Sequence, residues 1–167
     1  MWKRAHPMTR RLMGGLLLPV AALALTASPH AGESASFPTG FRGWMNVKSA
    51  LITAANPAFQ SEGGIHHIYA NAKAVEGYRT GEFPDGAVIV YELVATKEQG
   101  GIIAEADRRR VDIMTKDTSH NPRTGGWRFA RFMGSDESKD VIGDAAGKCF
   151  ECHTKATTHG DVFSQIR

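Results

Sequence analysis

Pro84-Asp85-Gly86-Ala87-Val88-Ile89-Val90-Tyr91-Glu92-Leu93-Val94-Ala95 decides the fold of this 167-residue chain. Proline presets its own φ and glycine accepts a positive one, so Pro84–Gly86 reads as a turn. The β-branched, apolar run Ala87–Ala95, closed off by Gly100-Gly101, reads as a strand. Downstream, Ile102, Ala104 and Ala106, then Val111, Ile113 and Thr115, alternate with period two and predict a second and a third strand over Ile102–Lys116. Gly125-Gly126 introduces Trp127–Met133, a final strand with Trp127, Phe129 and Arg131 on one face and Arg128, Ala130 and Phe132 on the other.

Upstream of the turn, Asn71 caps a short helix over Ala72–Arg79 that stops at Gly81, and Ile65–Ala70 reads as extended. Trp44–Ala55 places Met45, Val47, Leu51 and Ile52 at helix-like spacing, so a helix is expected there, ended by Asn56-Pro57. Ser34–Gly43, rich in Gly, Ser and Pro, reads as a lead-in. At the other end, Asp140–Cys152 predicts a helix and Asp161–Arg167 a short amphipathic tail. The expected class is α+β: a mainly antiparallel sheet with an N-terminal helix and a C-terminal helix carrying both cysteines.

The chain's formal charge of +3 is set by its first residues. Met1–Arg11 holds Lys3, Arg4, Arg10 and Arg11 and no acid, and an uncharged apolar run, Leu12–Ala27, follows. This is the anatomy of a secretory signal peptide over residues 1–31, with cleavage between Ala27 and Glu33. The run is too short, and too broken by Gly14, Gly15 and Pro19, for a bilayer crossing of roughly 20 apolar residues. Removing the four leader cations leaves a net charge of about −1 on residues 32–167, read as a single domain. No Lys/Arg stripe interleaved with aromatics remains, which excludes nucleic acid as a partner. Arg108-Arg109-Arg110 is the one cationic run and reads as a solvated strand or turn. The expected location is the periplasm, with no membrane contact after cleavage.

Both cysteines fall in Cys149-Phe150-Glu151-Cys152-His153. C-x-x-C-H reads as attachment of one covalent haem c: the two thiols add to the two vinyl groups, and His153 lies beneath the iron as proximal ligand. A disulfide would leave His153 unexplained and lacks the βαβ setting of a redox pair. A zinc site would need a second pair of ligands at matching spacing.

No methionine follows Met133, so a sixth protein ligand would have to come from upstream. The candidates are Met45, Met114, Met133, His66, His67 and His120; His159 is poorly placed for the opposite haem face. The methionines fit the apolar periodicity as core fillers. The reading is therefore a five-coordinate iron with an open position, which suits binding or chemistry at the metal.

From Phe41 to Arg167 the sequence resembles the cytochrome P-460 and cytochrome c′-beta family. The resemblance rests on Ile68–Asn71, Gly81–Val90, Val111–Asp117, Thr124–Phe132, Cys149–His153 and Asp161–Phe163 in that order. It implies a β-rich haem domain, commonly a homodimer, with Cys149, Cys152 and His153 as the haem-binding residues. P-460 members oxidise hydroxylamine or nitric oxide and carry a lysine cross-linked to the porphyrin. The c′-beta members lack the link and bind nitric oxide or carbon monoxide. Phe83–Leu93 contains no lysine, and Tyr91 stands late in that strand where one would sit; Lys73, Lys97 and Lys116 are expected to be solvated.

The expected partners are therefore small nitrogen compounds or diatomic gases and a soluble redox protein. An oxidase would use a carboxylate near the iron, with Glu82, Glu92 and Asp117 as candidates, each of which reads first as a surface or turn acid. Phe83, Phe129 and Phe132 are candidate wall residues, and Arg128 or Arg131 a partner for a haem propionate. The leading expectation is oxidation of hydroxylamine or nitric oxide at the five-coordinate iron; non-enzymatic capture of nitric oxide or carbon monoxide is the alternative, and a six-coordinate electron carrier is the third class of function.

Overall fold

The computed structural model describes residues 1–2, 36–143 and 145–166. The chain divides into two units, Met1–Glu33 and Ser34–Arg167. The leader expected over residues 1–31 lies, but for residues 1–2, outside the described residues.

In the second unit, β1 (Met45–Ile52), β2 (Gly64–Ala70), β3 (Val88–Gln99), β4 (Ile102–Lys116) and β5 (Trp127–Met133) form one antiparallel sheet in sequence order. A four-residue helix α1 (Phe59–Glu62) lies between β1 and β2, α2 (Ala72–Thr80) between β2 and β3, and α3 (Ala145–His153) follows β5. The α+β reading holds, with the helix bearing the cysteines at the C-terminal end. Among the described residues no helix is long and apolar enough to cross a membrane.

The expected N-terminal helix is instead strand β1, paired along its length with β2. A register shift between Asn46 and Lys48 leaves Val47 bulged and packed against the core. That extra residue destroys period two, so the apolar positions fall at spacings a helix would also give. The two strands expected over Ile102–Lys116 are one. Leu93 faces Arg110 while Val94 faces Arg108, and Thr96 then faces Glu105, so β4 carries one extra residue on each side of Arg108 and its alternation is interrupted there.

The turn and cap behave as read. Ala87 N–H donates to Pro84 O at 3.0 Å. Asn71 Oδ1 accepts from the amides of Ala74 (2.8 Å) and Val88 (3.1 Å), and its Nδ2 donates to Gly86 O. One side chain thus caps α2 and ties it to the start of β3. Asn71→Ala should cost about 1 kcal/mol for the cap, and roughly 2 kcal/mol in all once the bonds to the turn are counted. A lower urea midpoint at unchanged slope would show it. At Gly64 the backbone has φ +124°, and an added Cβ would stand 2.2 Å from Val94 O, so β2 can approach β3 there only as glycine.

The sheet buries both faces. Phe41, Val90, Val111, Ile113, Ala130 and Phe132 pack on one, beneath the lead-in segment with Phe37 and Trp44. Ile89, Met114, Trp127 and Phe129 pack on the other with α2, Phe83 and Val162. This second face holds the candidate site.

Candidate functional site

Register turns four separate strand sequences into ranks across the second face. Ala70, Ile89, Met114 and Phe129 stand side by side as an apolar rank. The neighbouring rank is Ile68, Tyr91, Asp112 and Arg131. A cavity of about 410 Å³ lies over these ranks, closed on its other side by Cys149, Cys152 and His153 of α3 and by Val162 and Phe163 of the tail.

On α3 the spacing of the motif places Cys149, Cys152 and His153 along one side of two successive turns. Both cysteines are free thiols. Burial pushes the Cys149 thiol pKa up, and the nearby Arg131 charge works against that rise. His153 Nδ1 lies 2.8 Å from Asp161 O. A carbonyl only accepts, so Nδ1 carries the proton and Nε2 keeps its lone pair for a metal. The imidazole is held between the Phe129 and Phe163 rings, at 5.3 and 5.0 Å between centroids. Asp161 takes a positive φ of 64° to present that carbonyl.

The cavity's polar end is an ion-pair network. Arg131 Nε meets Asp112 Oδ1 at 2.5 Å, and Arg110 Nε meets Asp112 Oδ2 at 2.8 Å. Arg110 also donates to both oxygens of Glu62 at 2.6 and 2.7 Å. The Tyr91 hydroxyl donates to Glu62 Oε2 at 2.8 Å. Burial first, and then this bond, raise the Tyr91 pKa above the ordinary phenol value. Hydrogen bonding to Asp112 is the leading cause of the raised Arg131 pKa.

Of the six candidate sixth ligands, Met114 alone lines the cavity. Met45 and Met133 are exposed, His67 bonds Ser49 and Glu105, and His120 pairs with Asp117. His66 stacks on Tyr91 at 5.1 Å with its Nδ1 buried and unpartnered. His159 meets Gln165, away from the cavity.

The carboxylate candidates are corrected. Glu92 is buried on the opposite side of β3 against Arg42, Asp117 lies in an exposed loop with Ser119 and His120, and Glu82 is exposed. The cavity carboxylates are Glu62 and Asp112. Phe129 does line the cavity. Phe83 sits deeper against Tyr78 and Trp127, and Phe132 belongs to the other core. Arg131 reaches the cavity but is already held by Asp112, and Arg128 is not among the lining residues. Among the described residues no lysine lines it: Lys73 bonds Asp85 O, Lys116 bonds Gly125 O above the Trp127 ring, and Lys97 is exposed near the hairpin tip. Arg110, read as part of a solvated run, is central to the network. Its spacing with Asp112 and Met114 at period two was the available signal. Glu62, at the end of the short helix α1, gave none.

A family model described as cytochrome P460 matches residues 38–164. The chain belongs to the cytochrome P460 family. No curated protein matches it significantly. Membership makes it a haem cytochrome, and the site fits that cofactor on its own terms. Two free thiols and a histidine with a committed tautomer face one largely apolar cavity, with cationic side chains at its polar end. Were His153 to hold the iron, the hydrogen bond that its Nδ1–H donates to Asp161 O would fix the ring and raise its basicity.

Proposed function

We propose that this chain is an exported monohaem c-type cytochrome that binds small nitrogen compounds, nitric oxide foremost, at an open iron position. The observation that carries the reading is the convergence of Cys149, Cys152 and His153 on one cavity whose opposite wall is the sheet, with His153 Nδ1 taken up by Asp161 O. Cys149 and Cys152 would hold the cofactor by thioether bonds, and His153 would donate Nε2 to the iron. The iron supplies the ligand-binding chemistry. Ile68, Ile89 and Phe129 keep water from the wall, and Phe129 and Phe163 fix the plane of the imidazole.

The absence of a lysine among the lining residues, with Tyr91 on that wall, favours a haem without a lysine cross-link. Reversible capture of nitric oxide or carbon monoxide follows as the first reading. Glu62 and Asp112 favour a second, oxidation of hydroxylamine or nitric oxide, because a cavity carboxylate can take protons from a bound substrate. The leader reading supports periplasmic residence with a soluble redox partner. The resemblance supports a homodimer.

The absorption spectrum of the ferrous protein, made in a host that attaches haem c and taken with and without carbon monoxide, tests this. An ordinary high-spin haem c spectrum that shifts with carbon monoxide is expected. A strongly red-shifted Soret band would mean a cross-link and turn the reading toward oxidation. A low-spin spectrum indifferent to carbon monoxide would mean a six-coordinate carrier.

A further inference from the structure

The chain has three tyrosines, and their hydroxyls meet different company. Tyr78 hydroxyl faces Ser164 Oγ at 2.6 Å, a group that cannot store a proton at ordinary pH. Tyr69 packs edge-on against Phe41 on the other core. Tyr91 alone donates to a carboxylate, Glu62 Oε2 at 2.8 Å, and it does so on the cavity wall opposite Cys149 and His153.

We propose that Tyr91 and Glu62 form a second redox centre, a phenol that yields an electron to a strong one-electron oxidant as its proton passes to Glu62. The step balances. The Tyr91 O–H bond breaks, an O–H bond forms on Glu62 Oε2, one electron leaves the ring for the oxidant, and a neutral phenoxyl radical faces a neutral carboxylic acid.

Two features of the site favour the coupled route. The donor–acceptor distance lies within the range over which protons transfer directly, about 2.6–3.2 Å. Arg110 lies over the Tyr91 ring at 5.5 Å. A cation there is attracted to a neutral ring and would repel a ring cation, so losing the electron alone is disfavoured; the same guanidinium bonds both Glu62 oxygens, so the arriving proton shares Oε2 with Arg110 and loosens that ion pair. Glu62 keeps 30% of its side chain exposed, which lets the proton be exchanged with solvent.

The test takes the full-length protein and an external oxidant, photogenerated tris(bipyridine)ruthenium(III), and traps the radical by freezing for electron paramagnetic resonance. Wild type is expected to give a tyrosyl signal that narrows with ring-deuterated tyrosine. Tyr91→Phe should lose most of the signal and Tyr78→Phe keep it. Glu62→Gln retains the shape but cannot take the proton, and should slow radical formation by about a hundredfold. An undiminished signal in Tyr91→Phe, or an unchanged rate in Glu62→Gln, overturns the proposal. So does a wild-type rate that is the same in heavy water, a measurement that needs no variant to fold. Because the oxidant is external, failure of the chain to take up haem would sink the preceding proposal and leave this one standing.

Discussion

Replacing Cys149 and Cys152 together by alanine is expected to abolish covalent haem entirely, leaving a denaturing gel with no haem stain at the chain's mass. The cavity explains why the effect is complete rather than partial. Among the described residues there is no other cysteine to form a thioether, and the two thiols face one cavity from successive turns of one helix. Each single variant should retain one thioether, with a pyridine haemochrome band displaced toward that of a haem keeping one vinyl group. Loss of Cys149 should be the more damaging, because its side chain packs into the core while Cys152 is exposed. His153→Ala should keep the covalent bonds and change the spectrum instead, since Nε2 is removed while both thiols stay. The three outcomes separate attachment from ligation. Stain persisting in the double variant would refute the attachment reading.

Much of this architecture was legible because period two and turn chemistry are local. The Pro84–Gly86 turn, the Asn71 cap, β5 and the approximate span of α3 all follow from a few adjacent residues. Legibility failed where a bulge changed phase. In β1, Val47 bulges and a strand imitates a helix; in β4, extra residues on both sides of Arg108 interrupt the period and one strand imitates two. The site divides in the same way. Cys149, Cys152 and His153 stand together in one short motif, so they could be singled out as candidates without a structure, and the fold brings them to one cavity. The polar end could not. Asp112 meets Arg131 and Tyr91 only through the register of β3, β4 and β5, and Glu62 reaches Arg110 from 48 residues away. Glu92 shows the converse error: an acid beside Tyr91 in sequence lies on the opposite face of the sheet, because neighbours in a strand point apart.

Trp127→Ala is expected to cost about 3–5 kcal/mol, the range for removing a fully buried large aromatic side chain. Trp127 is 0% exposed and packs edge-on against Phe83 at 5.3 Å. Its Nε1–H donates to Gly160 O at 2.9 Å, in the residue before Asp161. The indole is therefore both core and anchor: it holds the backbone whose next carbonyl bonds His153 Nδ1. Trp127→Phe separates the two roles. It keeps most of the ring and leaves one carbonyl without its donor, a loss of about 1–3 kcal/mol. If Gly160 is the anchor of the proximal histidine, this milder variant should also shift the haem's reduction potential or its ferrous carbon monoxide spectrum. A Trp127→Phe protein with lower stability and an unaltered potential and spectrum would confine Trp127 to packing. Equal stability of Trp127→Ala and wild type by urea titration would contradict the burial itself.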